Sequence, residues 1–350
     1  MMNDNGPRIL ISRLSAIGDC VLTTPVLCAL RKHFPSAHIA WVTEPGPASL
    51  LEGHACLDEL IPVRKRWFKS PRHVRALRAR LRQSRFEIAI DPQSLTKSAL
   101  VGWLSGAQVR IGFDKPRGRE LSRWLNCELV APQADHLVDA QLELLEPLGI
   151  DAPSVEFQMP RQAAAEKKID EMIRGLHLGC DFVVINPGAG WDSRLWPAER
   201  FGRVARHLGH EFQLPALVAW SGQRELAWAE TIVARSGGHA MVAPKSSLPE
   251  LVALMRRGRL FLGSDTGPLH IAAAVGTPCV SLHGTTRREA SGPYGAQHIA
   301  LQKRYQAGTS RQRRRADNAA MREIEVDTVV DACARVLQLR RSTRSTTQAA

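Results

Sequence analysis

The sequence predicts an α/β protein made of two doubly wound halves, each a parallel sheet with helices on both faces. Short apolar runs alternate with longer amphipathic segments, and the connections between them are short. The alternation stops at residues 151–160, where Pro153 and Pro160 interrupt any periodicity, and it resumes afterwards. A length of 350 residues agrees with about two domains.

Apolar spacing predicts the order of elements in the first half. In chain order they cover residues 8–14 (strand), 19–34 (helix), 38–43 (strand), 58–63 (strand), 71–84 (helix), 86–91 (strand), 94–104 (helix) and 134–148 (helix). The first helix is predicted because apolar residues recur near helical spacing between Val21 and Leu30. The last one ends at Gly149, a residue that commonly follows a helix.

The second half repeats the same alternation. Its predicted elements cover residues 161–176 (helix), 182–186 (strand), 197–208 (helix), 217–220 (strand), 225–235 (helix), 248–256 (helix), 260–263 (strand), 267–275 (helix), 278–282 (strand) and 326–339 (helix). We therefore divide the chain into domains 1–160 and 161–325, followed by a C-terminal helix and basic tail at 326–350. Ligands of such sheets bind beyond the carboxyl ends of the strands, so we expect a site in a central cleft that both domains face.

The charge of the chain restricts its partners. Lys and Arg number 47 against 34 Asp and Glu, a net +13, which favours nucleic acid, an anionic membrane surface or a negatively charged substrate. Ten basic residues and no acidic one lie within 64–85, and further basic clusters lie at 311–315 and 340–344. On the predicted helix from residue 71, four arginines fall in one stripe: Arg75, Arg78, Arg82 and Arg85.

That stripe has two interpretations, a solvated helix face or contact with a phosphorylated glycolipid or the anionic inner leaflet of a membrane. We expect no nucleic-acid partner, because no helix-turn-helix, zinc-finger, RRM or KH pattern is evident. No apolar run is long enough for a membrane span, and no secretory signal is evident, so we expect a cytoplasmic protein. The seven cysteines show no CxxC spacing, which favours buried free thiols over disulfides or zinc.

Three strand-to-helix junctions carry candidate chemistry. At the first, Gly18 makes a tight turn and Asp19 is expected to cap the next helix. Its carboxylate is either only a cap or a base able to accept a proton from a hydroxyl. At the second, residues 186–197, glycines allow close backbone approach, and Arg194 next to a helix N-terminus suits a phosphate. The alternative is a long glycine-containing turn with a solvated arginine.

The third junction covers residues 263–270. Ser264, Thr266 and the backbone N–H groups of residues 266–268, which include Gly267, could surround a diphosphate. His270 follows Thr266 by one helical turn and so faces the same way. Asp265 would repel phosphate, so we expect it to orient the loop or to bind a sugar hydroxyl.

These junctions resemble a known family. The segments RILISRLSAIGDCVLTTPVLCALRKHFP (8–35), NPGAGWDSRLWPAERF (186–201) and GSDTGPLHIAAAVGTPCVSLHG (263–284), with GPYG at 292–295, are similar to the lipopolysaccharide heptosyltransferases of glycosyltransferase family 9. The resemblance implies a GT-B fold, an acceptor-binding first domain and a donor-binding second domain. It implies transfer of a heptose from ADP-heptose to an inner-core sugar of lipopolysaccharide, with inversion at the anomeric carbon.

The resemblance also implies roles for residues. Asp19 matches the catalytic base, and Arg13 and Ser15 in the same junction are assigned to the acceptor. The donor-site residues that it implies are Asp265, Thr266, Gly267, His270, Glu225 near the adenosine, and Arg194 at a position where members commonly have Lys.

The chain departs from the family in one segment and leaves other functions open. Residues 301–324 lack the cysteine that many members carry there and are basic instead. No DxD spacing occurs, so we expect no metal and no cofactor. The alternatives are another GT-B enzyme, such as a hexosyltransferase or a nucleotide-sugar 2-epimerase, and a non-catalytic nucleotide-sugar or nucleic-acid binding protein.

Overall fold

The chain divides into two compact units, Met1–Pro160 and Arg161–Ala350. The structure, a computed structural model, describes residues 6–179 and 181–348, and side chains as far as residue 338. The expectations for the thiol of Cys180 and for the side chains of 340–344 fall outside this description. Within the described part, no helix is both long and apolar enough to cross a membrane.

The first unit is a six-stranded parallel sheet with helices in its connections. Its strands are β1 (Arg8–Ser12), β2 (His38–Thr43), β3 (Glu59–Pro62), β4 (Ile88–Asp91), β5 (Val109–Phe113) and β6 (Glu128–Val130). Its helices are α1 (Ile17–His33), α2 (Pro45–Leu51), α3 (Pro71–Gln83), α4 (Thr96–Ser105), α5 (Ser122–Leu125) and α6 (Leu137–Glu143). The central strands are buried along almost their whole length, as expected when helices cover both faces of a parallel sheet.

The second unit has the same number of strands. They are β7 (Val183–Asn186), β8 (Ala216–Val218), β9 (Ala240–Val242), β10 (Leu260–Ser264), β11 (Cys279–Leu282) and β12 (Ile299–Leu301). Its helices are α7 (Ala163–Gly175), α8 (Ala198–Phe212), α9 (Gly222–Arg235), α10 (Leu248–Arg257), α11 (Gly267–Ala274), α12 (Arg288–Ser291), α13 (Ser310–Arg315), α14 (Ala319–Arg322) and α15 (Val326–Gln348). Helix α15 packs into the core of this unit through Val329, Cys333 and Val336.

Strand order gives each sheet a switch point. The first sheet runs β3-β2-β1-β4-β5-β6 and the second β12-β11-β10-β7-β8-β9, which is the doubly wound order in both cases. The order reverses between β1 and β4 and between β7 and β10, so the loops after these strands diverge. A crevice outside the carboxyl ends of these strands is the usual ligand site of such a sheet.

The α/β class and the main helices are confirmed, whereas several local predictions were wrong. The single helix over 134–148 is instead α6 and a separate 3₁₀ turn at Glu146–Leu148, because Pro147 has no N–H for a continuous helix. The strands β5, β6, β9 and β12 were missed, as were α2 and the short helices α5, α12, α13 and α14. Cys127 is exposed, unlike the other described cysteines.

Helix α3 carries only part of the predicted arginine stripe. Leu77 and Leu81 are buried beneath it, and Arg75 and Arg78 are exposed. Arg82 is exposed as well, but its Nε donates to the carbonyl oxygen of Leu104 at 3.2 Å, so its guanidinium lies on the end of α4. Arg85 lies beyond the end of the helix.

Candidate active site

Asp19 and Arg13 form an ion pair at the carboxyl end of β1. Arg13 Nη2 lies 2.9 Å from Asp19 Oδ2, and the Arg13 side chain is 7% exposed, against 41% for Asp19. The same carboxylate oxygen accepts the N–H of Ala16 at 3.1 Å. Asp19 therefore lies in the first turn of α1, three residues after the N-cap residue Ala16, and the expectation that Asp19 is itself the N-cap was wrong. Both contacts use Oδ2, so no described residue engages Oδ1.

Arg13 is held in place by the neighbouring switch-point strand. Its Nη1 donates to the carbonyl oxygen of Pro92 at 2.8 Å, in the loop that follows β4. The side-chain oxygen of Gln93 in that loop accepts the N–H of Leu14 at 2.9 Å. The two loops after β1 and β4 are thus joined through side chains, which limits the positions that the Asp19 carboxylate can take.

The buried carboxylate of Asp91 orders the loop that follows β4. One of its carboxylate oxygens accepts the N–H groups of Gln93 and Ser94 at 3.2 and 2.9 Å. Burial raises the pKa of Asp91 to about 6, although hydrogen bonds from Ser98 and Ser94 oppose the shift. Sequence analysis missed this residue, because its signal was only an aspartate at the end of a predicted strand.

Ser15 is contacted by a lysine that the sequence did not single out. Lys97 Nζ donates to Ser15 Oγ at 3.0 Å and lies 3.7 Å from the carboxylate of Glu44. Lys97 is in the first turn of α4, and Glu44 immediately precedes α2. Ser15, Arg13 and Asp19 are therefore brought together on one loop, with a second cation beside them.

In the second unit, Arg194, Asp265 and His270 form one buried cluster at the β7–β10 switch point. Arg194 Nη1 lies 3.3 Å from Asp265 Oδ2 and donates to the Asp265 carbonyl oxygen at 3.1 Å. His270 Nε2 lies 3.3 Å from Asp265 Oδ1. Ser291 Oγ donates to Oδ2 at 3.2 Å. Asp265 thus orients the cation and the imidazole.

The charge of Asp265 is stabilised by these partners. Burial opposes ionisation, but the hydrogen bond from His270 and the charge of Arg194 outweigh it and hold the pKa of Asp265 well below its usual range. The carboxylate is therefore a fixed negative charge at neutral pH. A fixed charge beneath Arg194 keeps the guanidinium at the sheet edge in one orientation.

Thr266 and Gly267 start helix α11 at the same edge. Thr266 is the N-cap residue, but its hydroxyl donates to the carbonyl oxygen of Ser264 at 3.3 Å and does not cap the helix. The N–H groups of the first turn are therefore not occupied by this side chain, and they carry the partial positive charge of a helix N-terminus.

Glu225 lies against the loop that follows β7. Its carboxylate occupies the space that a side chain at Gly188 would need, and its Oε2 accepts the N–H of Ser221 at 2.7 Å. Burial raises the pKa of Glu225, and the hydrogen bond from Ser221 opposes this. The carboxylate is within reach of a ligand group that approaches Gly188, such as a sugar hydroxyl.

Trp191 was not predicted as a site residue, yet three arginine side chains lie around its ring. The Arg194 guanidinium lies 3.8 Å from the centroid of its ring. Arg314 lies 5.0 Å and Arg313 6.0 Å from the same ring. The signal was a tryptophan between a glycine-rich turn and an arginine, far in sequence from the basic segment that it contacts.

No metal site accompanies these groups in the described part of the chain. There, no set of three or more His, Cys, Asp or Glu residues is arranged to hold a metal ion. This observation does not test the reaction itself, so metal-independent chemistry stays a prediction.

The fold matches that of solved glycosyltransferase structures. A glycosyl transferase family 9 structure from Veillonella parvula matches with a TM-score of 0.84 and 24% identity, over 97% of this chain and 99% of that one. Escherichia coli heptosyltransferase WaaC with ADP matches with a TM-score of 0.75 and 23% identity, over 94% and 99%. The two parallel sheets thus define a GT-B fold, which confirms the expected class.

The sequence identifies the family. A family model described as glycosyltransferase family 9 (heptosyltransferase) matches residues 74–320. The chain is 28% identical over 276 residues to lipopolysaccharide heptosyltransferase 3 of Escherichia coli, covering 77% of this chain and 81% of that protein. The chain belongs to glycosyltransferase family 9 and is a glycosyltransferase that uses a nucleotide sugar.

Replacing Arg194 tests the cationic edge. We expect Arg194→Ala to weaken ADP binding by roughly tenfold to a hundredfold, because a charged hydrogen bond to phosphate is worth about 1.5–3 kcal/mol. Arg194→Lys should largely restore binding. Isothermal titration with ADP measures both, with Arg203→Ala on the exposed face of α8 as the control. Unchanged affinity in Arg194→Ala would place this residue outside the donor site.

The buried side chain of His283 should make the stability of the protein depend on pH. Burial lowers its pKa to about 4, so between pH 4 and 6.5 the unfolded chain binds more protons at this residue than the folded one. The contribution of His283 to stability should therefore fall as the pH drops through this window. Urea unfolding at pH 7 and 5 should show a loss about 2 kcal/mol smaller in His283→Gln than in the parent. Equal losses would contradict this assignment.

Proposed function

We propose that this glycosyltransferase transfers a heptose from ADP-heptose to an inner-core sugar of lipopolysaccharide. The observation that carries the proposal is a pair of complementary switch-point sites. One presents the partly exposed Asp19 carboxylate, and the other presents Arg194 and the N-terminus of α11. The first suits deprotonation of a sugar hydroxyl and the second suits a nucleoside diphosphate.

Asp19 is the general base of the proposed reaction. A sugar hydroxyl has a high pKa, so its attack on an anomeric carbon is faster when a base removes the proton in the transition state. Oδ2 is held by Arg13 and by the Ala16 N–H, while Oδ1 has no partner among the described residues and is available to the hydroxyl. Arg13 acts on the acceptor side by fixing this carboxylate, and Ser15 contacts the acceptor.

The second site stabilises the leaving group. As the bond from the anomeric carbon to phosphate breaks, its electron pair stays on the diphosphate and negative charge grows there. Arg194 and the first turn of α11 at Thr266 and Gly267 are fixed before reaction, so they stabilise this charge without reorganising. Asp265 holds Arg194, His270 holds Asp265, and Glu225 accepts a hydroxyl of the nucleoside.

A single displacement with inversion follows from this arrangement. The proposed acceptor site holds one base, and no second nucleophilic carboxylate is assigned to the anomeric carbon. A one-step attack on the face opposite the diphosphate therefore inverts the configuration, as carboxylate geometry does by analogy in glycosidases.

Peripheral contact with the inner face of the cytoplasmic membrane is the second part of the proposal. Arg75 and Arg78 are exposed on α3, and α3 packs on α4. Trp103 of α4 is 51% exposed and Trp124 of α5, which also packs on α4, is 86% exposed. Exposed arginines and exposed tryptophans on helices that pack together suit the headgroup region of an anionic bilayer.

The function is tested by turnover and by one isosteric substitution. With ADP-heptose and a truncated lipopolysaccharide acceptor, the parent should give a heptosylated product identifiable by NMR, whereas UDP-sugars and ADP-glucose should not react. Asp19→Asn should lower kcat roughly 100-fold or more while ADP affinity changes little, because the amide still accepts the Ala16 N–H but cannot accept a proton.

Glu52→Gln is the matched control, since this carboxylate is exposed in the same unit. It should keep full turnover. Near-parental turnover in Asp19→Asn would remove the general-base role, and a product formed only with another nucleotide sugar would replace the heptosyl donor.

The membrane contact is tested by charge reversal. Arg75→Glu with Arg78→Glu should reduce co-sedimentation with anionic vesicles at low salt, and the difference should shrink at high salt, because exposed charges are screened beyond about 8 Å at physiological ionic strength. Turnover on a short soluble acceptor should be unchanged. Arg203→Glu with Arg206→Glu on α8 makes the same charge change at exposed positions of the other unit. Equal pelleting of both double variants would remove the membrane contact.

A further inference from the structure

The basic segment that follows β12 lies beside the proposed donor site. Helix α13 packs on the short 3₁₀ turn Asp192–Arg194 that follows β7. Through this packing the ring of Trp191 lies close to the guanidinium groups of Arg194, Arg314 and Arg313, at 3.8, 5.0 and 6.0 Å. The proposed donor site includes only the first of these three cations.

The carboxylates around Trp191 do not neutralise all the arginines that lie there. Asp265 already pairs with Arg194 at 3.3 Å, and Asp192 pairs with Arg224 at 2.8 Å. Among the described residues, no carboxylate forms an ion pair with Arg313 or Arg314. Like charges gathered around one ring repel one another. A cluster with an excess of positive charge at a ligand-binding edge therefore indicates an anionic ligand.

Buried polar atoms without partners accompany the cations. Arg313 Nη1 donates to the carbonyl oxygen of Thr285 at 2.9 Å, but its buried Nε has no partner. The hydroxyls of Thr286, 7% exposed, and of Ser264, fully buried, also lack partners. Ser264 ends β10, and Thr286 follows the adjacent strand β11, so both belong to the same edge. Buried polar groups are normally hydrogen-bonded, so these atoms point to a missing polar partner.

We propose that Arg314 binds the diphosphate of the nucleotide sugar, and that Trp191 and Arg313 position it. This inference rests on the proposed function, because it takes the donor to be a nucleoside diphosphate sugar. Arg314 forms no hydrogen bond or ion pair with a described residue, so its donors are available to phosphate oxygens. Arg313 ties α13 to the loop after β11, and the Trp191 ring lies 5.0 Å from the Arg314 guanidinium and 3.8 Å from that of Arg194.

The chemical consequence is a second fixed charge on the leaving group. During transfer the new bond forms between the acceptor oxygen and the anomeric carbon, and the old bond to phosphate oxygen breaks. The electron pair of the broken bond remains on the diphosphate. Arg314 then shares with Arg194 the negative charge that develops there, and it strengthens binding of both donor and nucleoside diphosphate product.

Titration of the full chain with ADP tests the proposal. Arg314→Ala should weaken ADP binding by about tenfold, while binding of adenosine, which carries no phosphate, stays as in the parent. Arg314→Lys should recover part of the loss. The control is Arg315→Ala, which removes an exposed cation from the same short helix. If Arg314→Ala and Arg315→Ala bind ADP equally well, Arg314 is outside the site and the proposal is overturned.

Trp191 has its own test. Trp191→Ala should raise the KM for the nucleotide sugar as much as Arg314→Ala or more, and Trp191→Phe should recover most of the loss by retaining an aromatic face for the arginines. Equal KM values in Trp191→Ala and the parent would overturn the positioning role. The two proposals can fail independently of each other. If the proposed function is wrong, the parent itself does not bind ADP. If only this inference is wrong, the parent binds ADP and the binding remains sensitive to Arg194→Ala.

Discussion

Parallel strand pairing in the doubly wound order is the constraint on which the site depends. Because every strand of a sheet points the same way, all the loops that follow the strands emerge at one edge. The order reverses between β1 and β4 and between β7 and β10, and there the adjacent loops belong to helices on opposite faces. Asp19 follows one of these switch points, and Arg194 and Asp265 follow the other.

The buried ion pairs at these edges are tolerated because the two charges of each pair compensate one another. An ionised carboxylate without a partner is costly in the interior, and removal of one member of a buried pair typically costs several kcal/mol. Arg13 is almost fully buried against Asp19 and the Pro92 carbonyl, and Asp265 is buried against Arg194 and His270. The pairs are weak sources of net stability but strong sources of fixed geometry, which is what preorganised electrostatic catalysis requires.

Much of the fold could be predicted from the sequence because its central strands are continuous apolar runs. Such runs, for example at β1 and β10, are easily recognised when both faces of a sheet are covered. The missed strands lack this signal. β5 contains Arg110 and Gly112, and β12 has three half-buried residues at a sheet edge. Helix α2 was missed because Pro45 and Pro47 indicate a loop, although proline is well tolerated in the first turn of a helix.

The site was predictable only where its residues share one junction. Asp19 lies in one strand-to-helix junction and Asp265, Thr266, Gly267 and His270 lie in another, so local sequence marks them as candidates, whereas Arg13 and Ser15 were assigned through the family resemblance. The contact between Lys97 and Ser15 spans 82 residues, and its formation depends on the pairing of β1 with β4. No local pattern carries such information, because the geometry arises only when the sheet closes.

Arginine at position 194 and the basic segment after β12 are best understood as one feature. The resemblance places Arg194 where family members commonly have a lysine, and a lysine ammonium is a point charge without a flat surface. A planar guanidinium can stack on the Trp191 ring while its edge donates to Asp265, and both contacts occur here. The same ring lies 5.0 Å from Arg314, a residue of the segment where the chain departs from its family. One aromatic side chain thus couples the two departures.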